Sequence, residues 1–345
     1  MNHKAKITYS IIGLILLVIL ILGGLFLWQI KIPINSNVKQ TVIIEEGDSL
    51  NIVASKLSSK GVIRSGLFFR TYMFISKKHQ KIMPGLYQFS TNQNMISIAN
   101  DLVSGKAADN KTTIIEGWRA EQIAGLLSKK DFNGQDFLTE IKDIKKYQAK
   151  FPYLKSFNQI STLEGFLFPD TYQFIPDESI ESILSKMLTN FETKVFNKLD
   201  FKSAGKFSNL DDYLKLASII EREIAKSEDR PKVAGLYYNR LRLQMKLDAD
   251  PTVQYQKETT NPPKDYQDYW QKITSDDYYK WEGNYNTYII TGLPENPICN
   301  PGFDAVNSVL NPESNDHYYF FNTKDGKTIF SSSLEEHEEN QKKYL

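Results

Sequence analysis

With 345 residues the chain can bury more than one core, and length alone points to two domains. Its 42 basic and 41 acidic residues leave a net charge of +1, so no overall field directs it to nucleic acid. The 41% hydrophobic and 24% charged composition excludes wholesale disorder, and the lone Cys299 excludes an intramolecular disulfide or a cysteine zinc site. His3, His79, His317 and His337 lie far apart without an HExxH spacing, so neither a metal nor a cofactor is expected.

In chain order, Ile11 to Trp28 carries no charge over 18 residues, long enough to span a bilayer. Tyr9 and Trp28 sit where interfacial aromatics belong, and Lys4 and Lys6 favour a cytoplasmic N-terminus. Lys31 and Lys39 weaken that bias without reversing it, and no small-x-small cleavage site precedes Lys31. Residues 1–31 therefore read as a retained single-pass anchor in the cell membrane, with the rest of the chain outside the cytoplasm. Residues 32–40, polar and interrupted by Pro33, read as a linker.

Residues 41–107 read as a small βααβ module. Thr41 to Glu45 has strand composition, and Ser49 caps a helix carrying Leu50, Val53, Ala54 and Leu57. A second helix opens at Ser65 and runs to Ser76. Gly85 to Phe89 alternates like a strand, and a third helix ends at Gly105. Phe68, Phe69 and Tyr72 could stack on sugar rings, with core packing expected for at least two of them.

Residues 108–345 read as a mixed α+β domain. A strand from Lys111 and a turn at Glu116-Gly117-Trp118 precede a helix over Ala120 to Leu127. Leu163 to Tyr172 is an aromatic run punctuated by Gly165 and Pro169, read as a loop or edge strand that lines a groove or packs the core. Ile180 to Asn197 is an amphipathic helix. A helix starting near Pro231 carries Asn239 and Arg240 close to its end. Asp248 to Thr252 reads as a loop and residues 261–281 as a surface excursion. Phe303 to Leu310 is helical, and the chain closes on a hairpin that turns at Asp325-Gly326.

The central element is the helix from Asp211, where Tyr213, Leu214, Leu216, Ala217, Ile220 and Ile224 make an apolar stripe. Glu221 and Glu223 flank that stripe symmetrically, so periodicity cannot choose between them. Helical side chains lean toward the preceding turn. Glu223 then leans onto Ile219 and Ile220, Glu221 onto Ala217 and Ser218. The more apolar surroundings should raise the Glu223 pKa, as a glycosidic general acid requires.

The run Ala217-Ser218-Ile219-Ile220-Glu221-Arg222-Glu223 resembles the MltG (YceG-like) family of endolytic murein transglycosylases. So do Asn239-Arg240-Leu241, Asp250-Pro251-Thr252-Val253, Tyr285-Asn286-Thr287-Tyr288, Gly292-Leu293-Pro294 and Asn300-Pro301-Gly302. The Glu164 to Tyr172 block matches the family's Glu-Gly-Phe-Leu-Phe-Pro-Asp-Thr-Tyr almost residue for residue, and residues 41–107 look like a LysM-like module. The resemblance implies a central catalytic helix with Glu223 as the catalytic residue. It implies cleavage between N-acetylmuramic acid and N-acetylglucosamine to 1,6-anhydro ends. It also implies peptidoglycan strands as substrate, termination of nascent strands, and peptidoglycan synthases as partners. Glu221, Asn239, Asn286 and Tyr288 are the candidates for contacting the sugar, with Glu221 the runner-up acid. Two other readings stay open: a hydrolytic muramidase pairing Glu223 with Asp250, and a non-catalytic, membrane-tethered glycan-binding scaffold.

Overall fold

The structure, a computed structural model, describes residues 3–34, 38–105, 111–159, 161–175, 178–201 and 205–345, with the backbone alone for 3–11. The side chains of Lys4, Lys6 and Tyr9 therefore lie outside the described residues. The chain is mixed α+β and divides into two compact units, Met1–Asn110 and Lys111–Leu345.

The first unit opens with α1 (His3–Lys31). Its stretch Ile12–Lys31 has mean hydropathy 2.6 and is long enough to cross a membrane. β1 (Lys39–Ile44) follows, then α2 (Leu50–Ser59), α3 (Gly66–Ile75), β2 (Gly85–Ser90) and α4 (Met95–Ser104). The two strands pair antiparallel from Lys39↔Ser90 to Ile44↔Gly85. Ser49 caps α2 by accepting from the Ile52 N–H, and Gly105 closes α4 in the left-handed region at φ 66°. Val53, Leu57, Phe69, Met73, Tyr87, Phe89, Ile98 and Leu102 form its core. Phe69 is buried and Phe68 packs on Phe26 of α1, so these two aromatics take the expected core packing. One feature differs from the sequence reading: the expected linker is tied down, since Ile34 N–H donates to the Thr91 carbonyl and Thr91 N–H donates to that of Val38.

The second unit is helix-rich. β3 (Lys111–Thr113) pairs antiparallel with β4 (Thr171–Gln173). Between them lie α5 (Ala120–Lys129), α6 (Gly134–Glu140) and α7 (Ile144–Gln148). α8 (Ile180–Phe191) runs on through a π-helical turn to Phe196. Then come α9 (Asp211–Glu223), α10 (Arg230–Arg242), α11 (Asp250–Thr260), α12 (Asp277–Lys280) and α13 (Phe303–Leu310). The hairpin of β5 (Tyr319–Asn322) and β6 (Thr328–Ser331) precedes α14 (Leu334–Tyr344), which the sequence reading missed although Ser333 caps it.

α9 is the spine of this unit: Tyr213, Leu214, Leu216, Ala217, Ile219 and Ile220 are all fully buried. The 163–172 run supplies core, with Leu163, Phe166, Leu167, Phe168 and Tyr172 buried. Two expectations are corrected. Residues 250–252, read as a loop, begin α11: Pro251 sits in the first turn, where its missing N–H costs nothing. The 261–281 excursion is anchored, because Trp270 packs on the core and donates from Nε1 to Gln122 Oε1 at 2.8 Å.

Candidate active site

Glu221 and Glu223 stand two residues apart at the end of α9 and have different surroundings. Arg230 Nη2 donates to Glu221 Oε1 at 2.8 Å and Nη1 to Oε2 at 3.4 Å. Gly302 N–H, at the start of α13, also donates to Oε2, at 2.9 Å. Both Glu221 and Arg230 are almost wholly buried in this pair. Glu116 lies alongside, its pKa raised by burial and then by Glu221, and any side chain at Gly302 would collide with its carboxyl. Glu221 is thus a junction between α9, α10 and α13.

Glu223 is the last residue of α9, after which Ile224 turns extended. Among the described residues, no group hydrogen-bonds its carboxyl; its main-chain carbonyl accepts from Asn322 Nδ2 at 3.5 Å. By surface area Glu223 is only half-buried, yet the protein crowded around its carboxyl dominates its titration. Burial pushes its pKa up to about 8, Asp250 adds to the rise and Arg240 opposes it. The negative end of the helix dipole also disfavours its charge.

Asp250 is the first residue of α11, and burial raises its carboxyl while Tyr288 counters. Tyr288 Oη donates to Asp250 Oδ1 at 2.8 Å. The Tyr288 ring stacks on Tyr278, 4.3 Å between centroids and 10° between planes. The turn carrying Tyr288 is locked to α11. Thr287 Oγ1 accepts from the Ala249 N–H at 3.0 Å and lies 2.8 Å from Thr252 Oγ1. Arg240 is fixed by the Tyr318, Lys246 and Leu247 carbonyls and by Asp248. Tyr237, fully buried, has its phenol pushed far up by burial, with Glu223 adding to the effect.

Of the sequence candidates, Tyr288 therefore connects to Glu223 only through Asp250. Asn286 is fully buried and donates to the Tyr278 and Trp281 carbonyls, shaping the turn. Asn239 donates to the Asn315 and His317 carbonyls and fastens α10 to the segment before β5. Glu221 is engaged as above. Sequence reasoning gave no weight to Arg240 and Tyr237 and considered Asp250 only as a hydrolytic base. The signal was an Asp-Pro-Thr helix start just after an arginine-bearing helix end.

The same unit also buries Glu164, whose pKa burial raises to about 7. Glu164 accepts from the Ala120 N–H at 2.7 Å and from Tyr255 Oη at 2.8 Å. Arg119, fully buried, faces the Tyr255 ring at 3.9 Å and reaches Glu121, Glu258 and Thr259. Tyr255, Glu258 and Thr259 all belong to α11, the helix that presents Asp250. Cys299, the lone thiol, is buried and donates to the Ser218 carbonyl at 3.2 Å.

The model of the YceG-like family matches residues 42–343. An endolytic murein transglycosylase of Bacillus subtilis (strain 168) is 30% identical over 341 residues, 94% of this chain and 91% of its own. One from Streptococcus pneumoniae serotype 2 (strain D39 / NCTC 7466) is 28% identical over 361 residues, 95% of this chain and 63% of its own. A crystal structure of a yceG-like protein from Listeria monocytogenes superposes with a TM-score of 0.59 at 31% identity, covering 88% of this chain and all of that one.

Proposed function

Because the chain belongs to the YceG-like family, we propose that it is a membrane-anchored endolytic murein transglycosylase with Glu223 as its single acid/base. The observation that carries the assignment to Glu223 is the contrast within one helix end: Glu221 is saturated by Arg230 and Gly302, while Glu223 is crowded, uncommitted and raised to about 8. A carboxyl with that pKa is protonated at neutral pH and can donate.

In the proposed reaction, Glu223 gives its proton to the glycosidic oxygen linking muramic C1 to the next N-acetylglucosamine. The C1–O bond breaks with its electron pair on the departing oxygen. The Glu223 carboxylate then takes the proton from the muramic C6 hydroxyl, whose oxygen attacks C1 and closes the 1,6-anhydro ring. Water is not consumed, and Glu223 ends protonated as it began. Asp250, held in place by Tyr288, supplies negative charge that favours the positive charge developing at C1. The product is a strand ended by an anhydro sugar, which supports a role in terminating nascent strands, with polymerising synthases as partners. α1 supports the membrane reading: Ile12–Lys31 matches the roughly 30 Å of a hydrocarbon core at about 1.5 Å per residue. The first unit then stands as the LysM-like module between anchor and enzyme.

Asp250 beside Glu223 gives one observation in favour of a hydrolytic muramidase, since that chemistry uses two carboxylates. Product ends decide between them. The full chain in detergent, given un-cross-linked peptidoglycan, should yield anhydro-muramic ends by mass spectrometry. Reducing muramic ends would establish the hydrolase. Binding without any cleavage would establish the scaffold.

A further inference from the structure

We propose that the first unit is a membrane-surface module: the exposed face of α3, with the basic residues around it, docks on the anionic leaflet in which α1 is embedded. The proposal rests on the reading of α1 as a membrane span and goes beyond it, since a span alone requires nothing of the module.

Three observations carry it. First, the end of α1 is built into the module. Ile30 is buried in the module core, and the Phe26 and Phe68 ring centroids are 6.0 Å apart. Arg64 donates to the Ile32 carbonyl at 2.5 Å and the Pro33 carbonyl at 2.6 Å, and lies 4.9 Å over the Trp28 ring. Phe26 precedes Lys31 by five residues, about 7.5 Å along a helix axis. The start of α3 is thus pinned at the depth of the last turns of the span, where headgroups meet acyl chains.

Second, α3 leaves an apolar face open. Leu67, Phe74 and Ile75 are 62%, 59% and 69% exposed, and their spacing of seven and eight residues places them along one side of the helix. Phe69 and Met73 on the opposite side fill the core.

Third, the charge is one-sided. Residues 57–100 contain Lys60, Arg64, Arg70, Lys77, Lys78 and Lys81 and no Asp or Glu, in a chain whose total charge is +1, while Lys56 is already paired with Asp48 and Glu45. An apolar helical face bordered by cations is the composition that binds the interface of an anionic bilayer. Of the three aromatics weighed for sugar stacking, Phe69 is fully buried and Phe68 and Tyr72 pack against the module core.

The test uses the full chain in nanodiscs of phosphatidylcholine and phosphatidylglycerol. A nitroxide is placed by Phe74→Cys, with Leu22→Cys within the span and exposed Lys198→Cys as references. Accessibility to oxygen and to a water-soluble nickel chelate is read by power saturation. The expected result is loss of nickel accessibility at 74 toward the level at 22, and its return in neutral phosphatidylcholine discs when Leu67→Ser and Ile75→Ser are added. A label at 74 as nickel-accessible as that at 198, with 22 lipid-protected, overturns the docking and leaves the span intact. Nickel access at 22 overturns both. Protection at 74 that appears only after un-cross-linked glycan strands are added overturns it in favour of a glycan-binding face.

Discussion

Glu164, near Arg119, and Glu223, near Arg240, are both carboxylates of the second unit whose pKa burial raises. Their surroundings differ. Glu164 receives a helix N–H and a tyrosine hydroxyl, and its arginine is ringed by carboxylates, a threonine and aromatic faces. Among the described residues, the Glu223 carboxyl receives no hydrogen bond. A raised pKa therefore does not by itself mark catalysis here. What separates the two is unspent bonding capacity: Glu164 has used its oxygens to tie α5 to α11, and among the described residues Glu223 has left its own unspent.

Substitutions should separate the two regions. The largest effect is expected from Glu223→Gln, which should lower the rate of anhydro-end formation by roughly 10²- to 10⁴-fold, the usual span for losing a general acid. Its melting temperature should not fall. Arg119→Met should do the reverse. Removing a buried cation and leaving Glu258 and Glu164 without it should cost about 3–5 kcal/mol by denaturant unfolding, with the folded fraction still cleaving glycan. Glu221→Gln should also act on stability, by about 2–3 kcal/mol, because Arg230 loses its anionic partner. If Glu221→Gln instead abolished cleavage in a fully folded protein, the assignment of the acid would move to Glu221.

How much of this was legible beforehand differs between the same regions. The stripe of α9, the turn at Gly105 and the closing hairpin follow from local spacing, so the sequence predicted them. The preference for Glu223 over Glu221 rested on an apolar neighbourhood; Ile219 and Ile220 are fully buried, but so are Ala217 and Ser218, so burial of the preceding turn does not separate the two. What spacing could not show was what each carboxylate meets across the fold. Arg230 and Gly302 reach Glu221 from 9 and 81 residues away, and the Tyr288–Asp250 contact spans 38. Glu164 was recognisable as part of a motif, but its partner Tyr255 lies 91 residues on. Asn239 and Asn286 looked like sugar contacts because asparagine is a versatile donor; both spend that capacity on distant carbonyls.

Two smaller effects would sharpen the comparison. Tyr288→Phe should slow cleavage about tenfold. It removes the hydrogen bond that fixes the Asp250 carboxylate, so its charge is no longer held in place. The alkaline limb of kcat/KM, expected near pH 8 from Glu223, should stay where it is while kcat falls. The smallest effect is on stability. Between about 4.5, the ordinary value of the group, and about 8 the folded chain holds a proton on Glu223 that the unfolded chain has released. Stability should fall as pH rises through that window, by on the order of 1–3 kcal/mol. Glu223→Gln should remove that part of the fall, as unfolding curves at pH 5 and pH 8.5 would show.

The splice between α1 and the first unit bears on how the protein behaves when cut. Ile30 fills that unit's core and Phe26 covers Phe68. Cleavage after Lys31, by a protease or by design, would take both away and bare Phe68 next to the already open Leu67. A fragment released in this way would be a sticky particle, prone to self-association, rather than a freely soluble enzyme.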